Sequence, residues 1–158
     1  MDFLIRAATS SDVPKVATLQ QEFIIEHQKL YDDTFYALHP AASKEWSSWA
    51  LKKIQTNELG LFIAVENDTI IGYISGYIET RAPIYKLLTI GYISNMYVLP
   101  NFRGKKISSK LHHALLQWFK EKNVAHIELN VDARATATIA TWQHLGYKEV
   151  GKRMRMTL

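Results

Sequence analysis

The residues best suited to chemistry lie in one short basic segment, Asn101 to Ser109, which reads NFRGKKISS. It joins a glycine, three cations and two hydroxyls to an apolar pattern that is typical of a helix. The first turn of a helix has unpaired backbone N–H groups at the positive end of its dipole and attracts anions. We therefore predict a loop that leads into a helix and binds a phosphate-bearing ligand, the alternative being a helix start with solvated lysines.

The distribution of charge supports a local anionic ligand. The net charge is +4, yet the stretch from Thr80 to Lys120 contains seven Lys and Arg residues and no Asp or Glu, which leaves 4 − 7 = −3 for the rest. Four of the seven cations fall between Arg103 and Lys110. A nucleic-acid surface more often spreads its cations along one face among aromatic residues. The clustering therefore favours one bound anion over a nucleic-acid partner.

Length and composition limit the classes of protein. A chain of 158 residues suits a single domain over 1–158, and 47% hydrophobic with 22% charged residues is ordinary globular composition. The absence of cysteine excludes disulfides, thiolate metal sites and a catalytic thiol, and we predict no metal site. There is no apolar run of membrane-spanning length and no signal-peptide pattern. We expect a cytoplasmic protein that does not interact with membranes.

Hydrophobic periodicity and turn signals predict a mixed α/β protein. The apolar spacing and the Gly, Pro, Asn and Asp positions indicate alternating strands and helices, with a hairpin turn at Asn67–Asp68. The predicted elements are strand 3–8, helices 12–29 and 43–57, strands 61–66, 69–80 and 87–98, helix 106–122, strand 124–131, helix 135–145, and closing strands 147–150 and 153–158. This order favours a layered α/β fold on a mixed sheet.

Several segments of the chain resemble the GNAT superfamily of acyl-CoA-dependent N-acyltransferases. They are IRAATSSD, LFIAVENDTIIGYISG, ISNMYVLPNFRGKKISSKLHHALLQWF, and IELNV together with IATWQHLGYKEVG. The resemblance implies a GNAT-like mixed, mostly antiparallel sheet flanked by helices, in the order β-α-α-β-β-β-α-β-α-β-β. It also implies an N-acetyltransferase that moves an acetyl group from acetyl-CoA to a primary amine by direct attack in a ternary complex. The acceptor would be a small molecule or a protein amino group, and a homodimer is possible.

The resemblance assigns the basic loop to the pyrophosphate of acetyl-CoA. The family loop reads Arg/Gln-x-x-Gly-x-Gly/Ala, and Arg103 takes its first place, while Lys106 and Ser108 stand where small residues are usual. The end of the preceding strand would bind the pantetheine arm through its backbone, and one N–H would polarise the thioester carbonyl. The next strand would splay away to form a cleft. The predicted cofactor-binding residues are Met96, Tyr97, Val98, Arg103, Gly104, Lys105, Lys106, Ile107, Ser108, Ser109 and Trp142.

The reaction that the resemblance implies needs a group that deprotonates the amine, because an ammonium ion is not a nucleophile. We predict Glu79, at the end of a long strand, as the base and Tyr97 as the acid. Asp132 is the reserve base, and His27 and His39 lie in the region expected to bind the amine. For these residues a purely structural or surface role is the alternative.

Two further departures from the family pattern leave a second function open. Trp142 occupies the place where the family often has an acidic tyrosine, and an indole N–H is not a usable acid, so a core role is the alternative for this residue. Ala135 stands where the family often has asparagine. With Lys106 and Ser108, these changes keep open a non-catalytic acyl-CoA-binding regulatory module.

Overall fold

The structure is a computed structural model that describes residues 2–158. Within these residues it contains five strands, four α-helices and two short 3-10 turns. The elements are β1 (Leu4–Ala7), α1 (Val13–Tyr31), α2 (Ala42–Gln55), β2 (Leu59–Glu66), β3 (Thr69–Thr80), β4 (Thr89–Val98), α3 (Ile107–Glu121), β5 (Ile127–Leu129) and α4 (Thr136–His144). Within residues 2–158, none of the helices is both long and apolar enough to cross a membrane.

The five strands form one sheet in the order β1-β2-β3-β4-β5. The first four strands are antiparallel neighbours, and β5 runs parallel to β4. The turn between β2 and β3 contains Asn67 and Asp68 at φ 47° and 61°, a conformation that Asn and Asp tolerate in tight hairpins. The predicted mixed, mostly antiparallel sheet flanked by helices is therefore confirmed.

Helices cover the sheet on both faces, and each face has its own apolar core. One core joins α3 and α4 to the sheet through residues such as Ile74, Leu115 and Trp142. The other joins α1 and α2 to the opposite face, where Tyr73 and Tyr97 are buried. Successive side chains of a strand point to opposite faces, so Ile74 and its neighbour Tyr73 belong to different cores.

A β-bulge interrupts β4 in its middle. Ser75 of β3 pairs with Asn95, but the next residue, Gly76, pairs with Ile93, so Ser94 is an extra residue in β4. The inserted residue shifts the alternation of side chains along the strand. As a result Tyr92 and Tyr97, an odd number of positions apart, both lie on the α1 face of the sheet.

The two strands β4 and β5 stay together for only three residue pairs, from Gly91–Ile127 to Ile93–Leu129. Beyond Ile93 the bulge follows in β4, and the chain after Leu129 no longer pairs with it. The edge of β4 that faces away from β3 is therefore open from Ser94 to Val98, as the expected splay requires.

The end of the chain differs from the prediction. No strand follows α4 in the described part of the chain, so the closing strands at 147–150 and 153–158 are not formed. The reason is that their apolar side chains have nothing to pack against: Val150 is 86% and Met154 93% exposed. The predicted strand 124–131 is also shorter, because the amide of Val124 bonds the carbonyl of Phe119 and completes the last turn of α3.

Three glycines allow α3 to lie directly on the sheet. A Cβ atom added to Gly60 would come within 2.7 Å of the side chains of Leu115 and Trp118. Gly76 and Gly91 have the same relation to the ring of Phe119, at 2.9 and 2.8 Å. Such contacts are shorter than packed atoms accept, so these positions fix how closely the helix approaches the strands.

We expect Gly60→Ala to lower the free energy of unfolding by roughly 1–3 kcal/mol, because it overpacks this contact. Urea denaturation monitored by tryptophan fluorescence measures the change. Gly151→Ala is the control, since a Cβ there meets no atom within 4 Å. Equal stability of the two variants would show that α3 does not lie this close to β2.

Candidate active site

The basic loop joins the end of β4 to α3 through two residues with left-handed backbone conformations. The chain leaves β4 at Val98, passes a 3-10 turn at Pro100–Phe102, and reaches Gly104 at φ 78° and Lys106 at φ 60° before α3 begins. Within residues 2–158, the backbone N–H groups from Gly104 to Ser109 donate to no acceptor. The predicted loop leading into a helix is therefore present, with a row of free donors at the positive end of α3.

The conformation of Lys106 is unusual for its residue type. A side chain other than glycine pays roughly 1–2 kcal/mol in the left-handed region, because its Cβ crowds the following carbonyl. Lys106 is exposed, and it is the residue directly before α3. Its backbone therefore turns the chain into the helix while its ammonium group stays in solvent beside the free amides.

Arg103 fastens the loop to the rest of the molecule. Its Nε donates to the carbonyl of Val98 at 3.0 Å, and its Nη2 donates to both carboxylate oxygens of Glu26 on α1, each at 3.0 Å. The guanidinium also lies 5.5 Å from the centre of the Tyr97 ring. Its hydrogen bonds hold the pKa of Glu26 below its ordinary value. Within residues 2–158 only Nη1 of Arg103 forms no bond, so just this group is free for a phosphate.

The other predicted residues of the loop differ in what they expose. Lys105 turns its Nζ back to the carbonyl of Asn101, at 3.2 Å. Ile107 is 1% exposed and packs in the core, so only its backbone amide can meet a ligand. Ser108 is half-buried and Ser109 exposed. The helix start therefore offers backbone amides, hydroxyls and the exposed Lys106, whereas the Lys105 ammonium group is already bonded.

The backbone of β4 presents alternate residues at its open edge. The amide of Leu99 donates to the carbonyl of Ile71, near the start of β3, at 3.0 Å. Because hydrogen-bonding groups alternate along a strand, those of Val98 and Met96 point away from β3, while Tyr97 pairs with Tyr73. Of the three predicted pantetheine contacts, Met96 and Val98 thus offer backbone donors, and the Val98 carbonyl is already bonded to Arg103.

The side chain of Tyr97 points toward α1. Its hydroxyl donates to Oε2 of Glu26 at 3.1 Å, and the residue is 6% exposed. Burial, reinforced by the bond to Glu26, raises the pKa of Tyr97 to about 12, so the phenol keeps its proton at neutral pH. Its role as the acid stays a prediction, and in the structure it joins β4 to α1.

Glu79 lies far from Tyr97. It is exposed on β3 opposite Ile90, three residues before the last pair of β4 and β5 at Ile93. Glu79 is six residue steps along β3 from Tyr73, the partner of Tyr97, which corresponds to about 20 Å at the rise of a strand. Glu79 and Tyr77, two residues apart on β3, lie on the same face of the sheet. Burial, together with the neighbouring Tyr92 and Glu79, raises the pKa of Tyr77. The structure does not bring the predicted base and acid together.

The structure instead brings His27 into contact with Asp132, the reserve base. Nε2 of His27 lies 3.1 Å from Oδ2 of Asp132, and their side chains are only 19% and 10% exposed. Arg134 binds the same carboxylate through Nε at 2.9 Å and Nη2 at 2.6 Å, which holds the pKa of Asp132 well below its usual range. His27 and Asp132 are 105 residues apart in sequence, and no spacing rule predicts their contact.

One acid of the loop after α1, Asp33, is paired with two arginines. Asp33 pairs with Arg134 at 2.8 Å and with Arg155 at 3.3 Å, and Arg155 lies 3.6 Å from the centre of the Phe35 ring. Asp32 is exposed and ends α1 in a left-handed conformation. The charge of Asp33 is therefore neutralised within the protein.

Comparison with known proteins agrees with this geometry. The family model described as the Acetyltransferase (GNAT) family matches residues 18–147. The chain belongs to the GNAT acetyltransferase family. The residues that match the family model include β2 to β4, the basic loop, α3 and α4, which are the elements that form the site.

Two curated relatives cover most of the chain. An uncharacterized N-acetyltransferase of Methanocaldococcus jannaschii is 23% identical over 93% of this chain and 61% of its own length. An N-alpha-acetyltransferase of Saccharolobus solfataricus is 25% identical over 94% of this chain and 82% of its own length. The chain thus spans less than two thirds of the first of these relatives.

Solved structures show the same fold. An acetyltransferase of Clostridium acetobutylicum, solved with acetyl-CoA, superposes with a TM-score of 0.80 at 22% identity over 99% of this chain and 96% of that one. The aminoglycoside acetyltransferase AAC(6')-Iy, in complex with a bisubstrate analog, gives 0.77 at 18% identity over 100% and 99%. These structures share the fold of this GNAT protein over nearly all of the chain.

In this GNAT protein Trp142 is a core residue. It is 7% exposed, and its ring lies 6.0 Å from that of His112 and 5.3 Å from that of Tyr147. The Tyr147 hydroxyl and Nε2 of His112 are 3.0 Å apart, and burial raises the pKa of Tyr147 to about 12. The structure thus shows Trp142 in a packing role, while its contact with the cofactor stays a prediction. Among the described residues no group of His, Asp and Glu is suited to a metal ion.

Lys106 occupies the place where the family pattern has glycine, and it keeps the backbone conformation that glycine adopts readily. We expect Lys106→Gly to be more stable than Lys106→Ala by about 1 kcal/mol, because both variants lose the charge and only one relieves the left-handed strain. Urea denaturation compares them. If the two variants unfold at the same denaturant concentration with the same slope, this residue carries no strain.

Proposed function

We propose that this GNAT protein is an N-acetyltransferase that moves an acetyl group from acetyl-CoA to a primary amine by direct attack in a ternary complex. The proposal includes a cytoplasmic location, which suits a chain without cysteine. Family membership supports acyl transfer, and the site supports acetyl-CoA as the cosubstrate.

One observation carries the proposal: a row of free amides at the start of α3 adjoins an open strand edge on β4. The amides from Gly104 to Ser109 suit the pyrophosphate, since helix starts bind phosphate oxygens. The outward backbone groups of Met96 and Val98 suit the amide-rich pantetheine arm, which can pair with a strand edge as another strand would. A ligand that needs both features in sequence is a phosphopantetheine thioester.

The chain can also supply electrostatic assistance to the reaction. Attack on a thioester places negative charge on its carbonyl oxygen, and an outward N–H of β4 would stabilise that charge without reorganising. The thiol of CoA is a good leaving group, so a strong acid is not essential. Tyr97 stays the predicted acid. Glu79 stays a predicted base, and its distance from the open edge would require transfer through water.

The acceptor amine is proposed from two kinds of relatives. The relatives in Saccharolobus solfataricus and, over 54% of this chain, Schizosaccharomyces pombe are named as N-alpha-acetyltransferases. Structures with the same fold are named as aminoglycoside acetyltransferases, one of them in complex with sisomicin. We therefore propose a primary amine, either a protein α-amino group or a small molecule, and a homodimer stays a prediction.

The cosubstrate site can be tested by charge removal at either end of α3. We expect Lys105→Ala combined with Lys106→Ala to weaken CoA binding at least about tenfold, or about 1.4 kcal/mol, and to reduce its dependence on salt. Lys120→Ala combined with Lys122→Ala removes the same charge at the other end of the helix and should leave the affinity unchanged. Isothermal titration calorimetry with CoA at two salt concentrations measures both; equal affinities would place the pyrophosphate elsewhere.

Activity is tested by thiol release from acetyl-CoA with two acceptors, a peptide with a free N-terminal serine and sisomicin. We expect acetylation of at least one, identified by a mass increase of one acetyl group. Binding of acetyl-CoA without transfer to either acceptor would favour the acyl-CoA-binding module instead. The absence of any CoA binding would remove the cosubstrate assignment itself.

A further inference from the structure

The position of His27 relative to the open strand edge suggests a role in the reaction. On α1 the ring of Phe23 lies 5.9 Å from that of Tyr97, and Glu26 accepts the hydroxyl of Tyr97. The next residue, His27, contacts Asp132, which lies three residues beyond the last paired residue of β5, Leu129. His27 therefore lies over the gap between β4 and the chain that follows β5, on the α1 face.

The hydrogen bonds around His27 select one form of its ring. Asp132 is held ionised by the bidentate bonds from Arg134, so it can only accept, and Nε2 of His27 must be the donor. In the neutral ring the other nitrogen, Nδ1, then carries a lone pair. Within residues 2–158 this nitrogen has no hydrogen-bond partner. The arrangement leaves an oriented imidazole with a free basic nitrogen.

Two aromatic rings hold the imidazole in place. Tyr31, one turn further along α1, and Tyr36, in the 3-10 turn, each lie with ring centres 4.8 Å from His27 in edge-to-face arrangements. The charged and polar groups around the ring are Asp132 and Arg134 on the chain after β5, the two tyrosines, and Glu26 beside it on α1. The carboxylate in contact with the ring belongs to Asp132.

We propose that His27 is the general base of the transfer and that Asp132 is a positioning residue acting through it. This inference rests on the proposed function. Nδ1 takes one proton from the acceptor ammonium, and the free amine attacks the thioester carbonyl, forming the C–N bond. The C–S bond then breaks, and the departing sulfur takes the second proton from the amide nitrogen. His27 returns its proton to solvent.

The location of His27 explains why it suits this role better than Glu79. Glu79 lies opposite Ile90, one residue before the pairing of β4 with β5 begins at Gly91, so the whole paired segment separates it from the open edge. His27 lies with Asp132 beyond Leu129, where the two chains have separated. A base must come within hydrogen-bond reach of the amine that attacks, or act through one water.

We test the base with His27→Gln, whose amide can still donate to Asp132 but has no basic nitrogen. We expect kcat/KM for the acceptor to fall at least about 100-fold at pH 7, with unchanged affinity for CoA. The pH profile should change as well. The wild-type rate should level off above the imidazole titration, whereas the variant should keep rising until the acceptor amine itself loses its proton.

Two matched variants complete this test. His113→Gln alters an exposed histidine on α3, on the other face of the sheet, and should keep the wild-type rate and profile. Glu79→Gln tests the other predicted base. A wild-type rate in His27→Gln, or loss of the levelling only in Glu79→Gln, would overturn the assignment of His27. Failure of the wild-type protein to acetylate either acceptor would instead refute the proposed function.

The role of Asp132 has a readout that needs no acceptor. Nitrogen-15 correlation spectra of the histidine rings at pH 8 should show His27 protonated at Nε2. Asp132→Asn offers only one oxygen to both Arg134 and His27, so we expect the Nδ1-protonated form to appear and kcat to fall while KM for acetyl-CoA stays unchanged. Asp132→Glu should restore part of kcat. An Nδ1-protonated His27 in the wild-type protein would overturn the proposal.

Discussion

The short pairing between β4 and β5 is the constraint on which the site depends. Only three residue pairs join them, and the bulge at Ser94 follows directly on the last. A longer ladder would satisfy the backbone of Met96 and Val98 with protein, and nothing would remain for a ligand. Because the pairing stops, the strand edge, the start of α3 and the end of α1 surround one gap. The remaining features of the site serve to hold this gap open and to line it.

Arg103 connects the two sides of that gap. It lies in the loop before α3, donates a hydrogen bond to the Val98 carbonyl, and donates to Glu26 on α1. Glu26 also accepts the hydroxyl of Tyr97, so one carboxylate joins loop, strand and helix. These ions are about half exposed, at 47% and 42% of their side chains, so the network contributes more to geometry than to stability. It sets the distance between the free amides and the α1 face, where His27 lies.

Local patterns in the sequence predicted the parts of the fold that depend on nearby residues. Asn67 and Asp68 predict the hairpin because their residue types favour its turn. The regular repeat of an apolar face predicts the helix after the basic loop. The closing strands were wrong because an alternating pattern such as that of 153–158 favours a strand only where a partner edge exists. The bulge leaves no mark in the pattern, since one inserted serine looks like any polar residue.

The candidate site likewise has one part that local sequence predicts and one part that it does not. The phosphate-binding loop is a continuous segment with its own chemistry, so its residue types were sufficient to find it. His27 and Asp132 are distant in sequence, and each alone looks like a surface residue; only the way α1 crosses the end of β5 brings them together. The position of Glu79 at a strand end favours a place in the cleft, but in this sheet the cleft is formed where β5 departs from β4. Because β3 runs antiparallel to β4, the carboxyl end of β3 lies beside the start of β4, away from this cleft.

Lys106 shows how such a site can change its residue without changing its shape. A left-handed lysine costs roughly 1–2 kcal/mol relative to a relaxed backbone, and a glycine there would avoid that cost. The lysine also places a cation beside the positive end of a helix, which is unfavourable unless an anion binds nearby. Both costs fall on the free protein, whereas the benefit, a charge next to free amides, is gained only with a phosphate present. A residue that is unfavourable on both grounds without a ligand and favourable with one is therefore consistent with selection for binding rather than for folding.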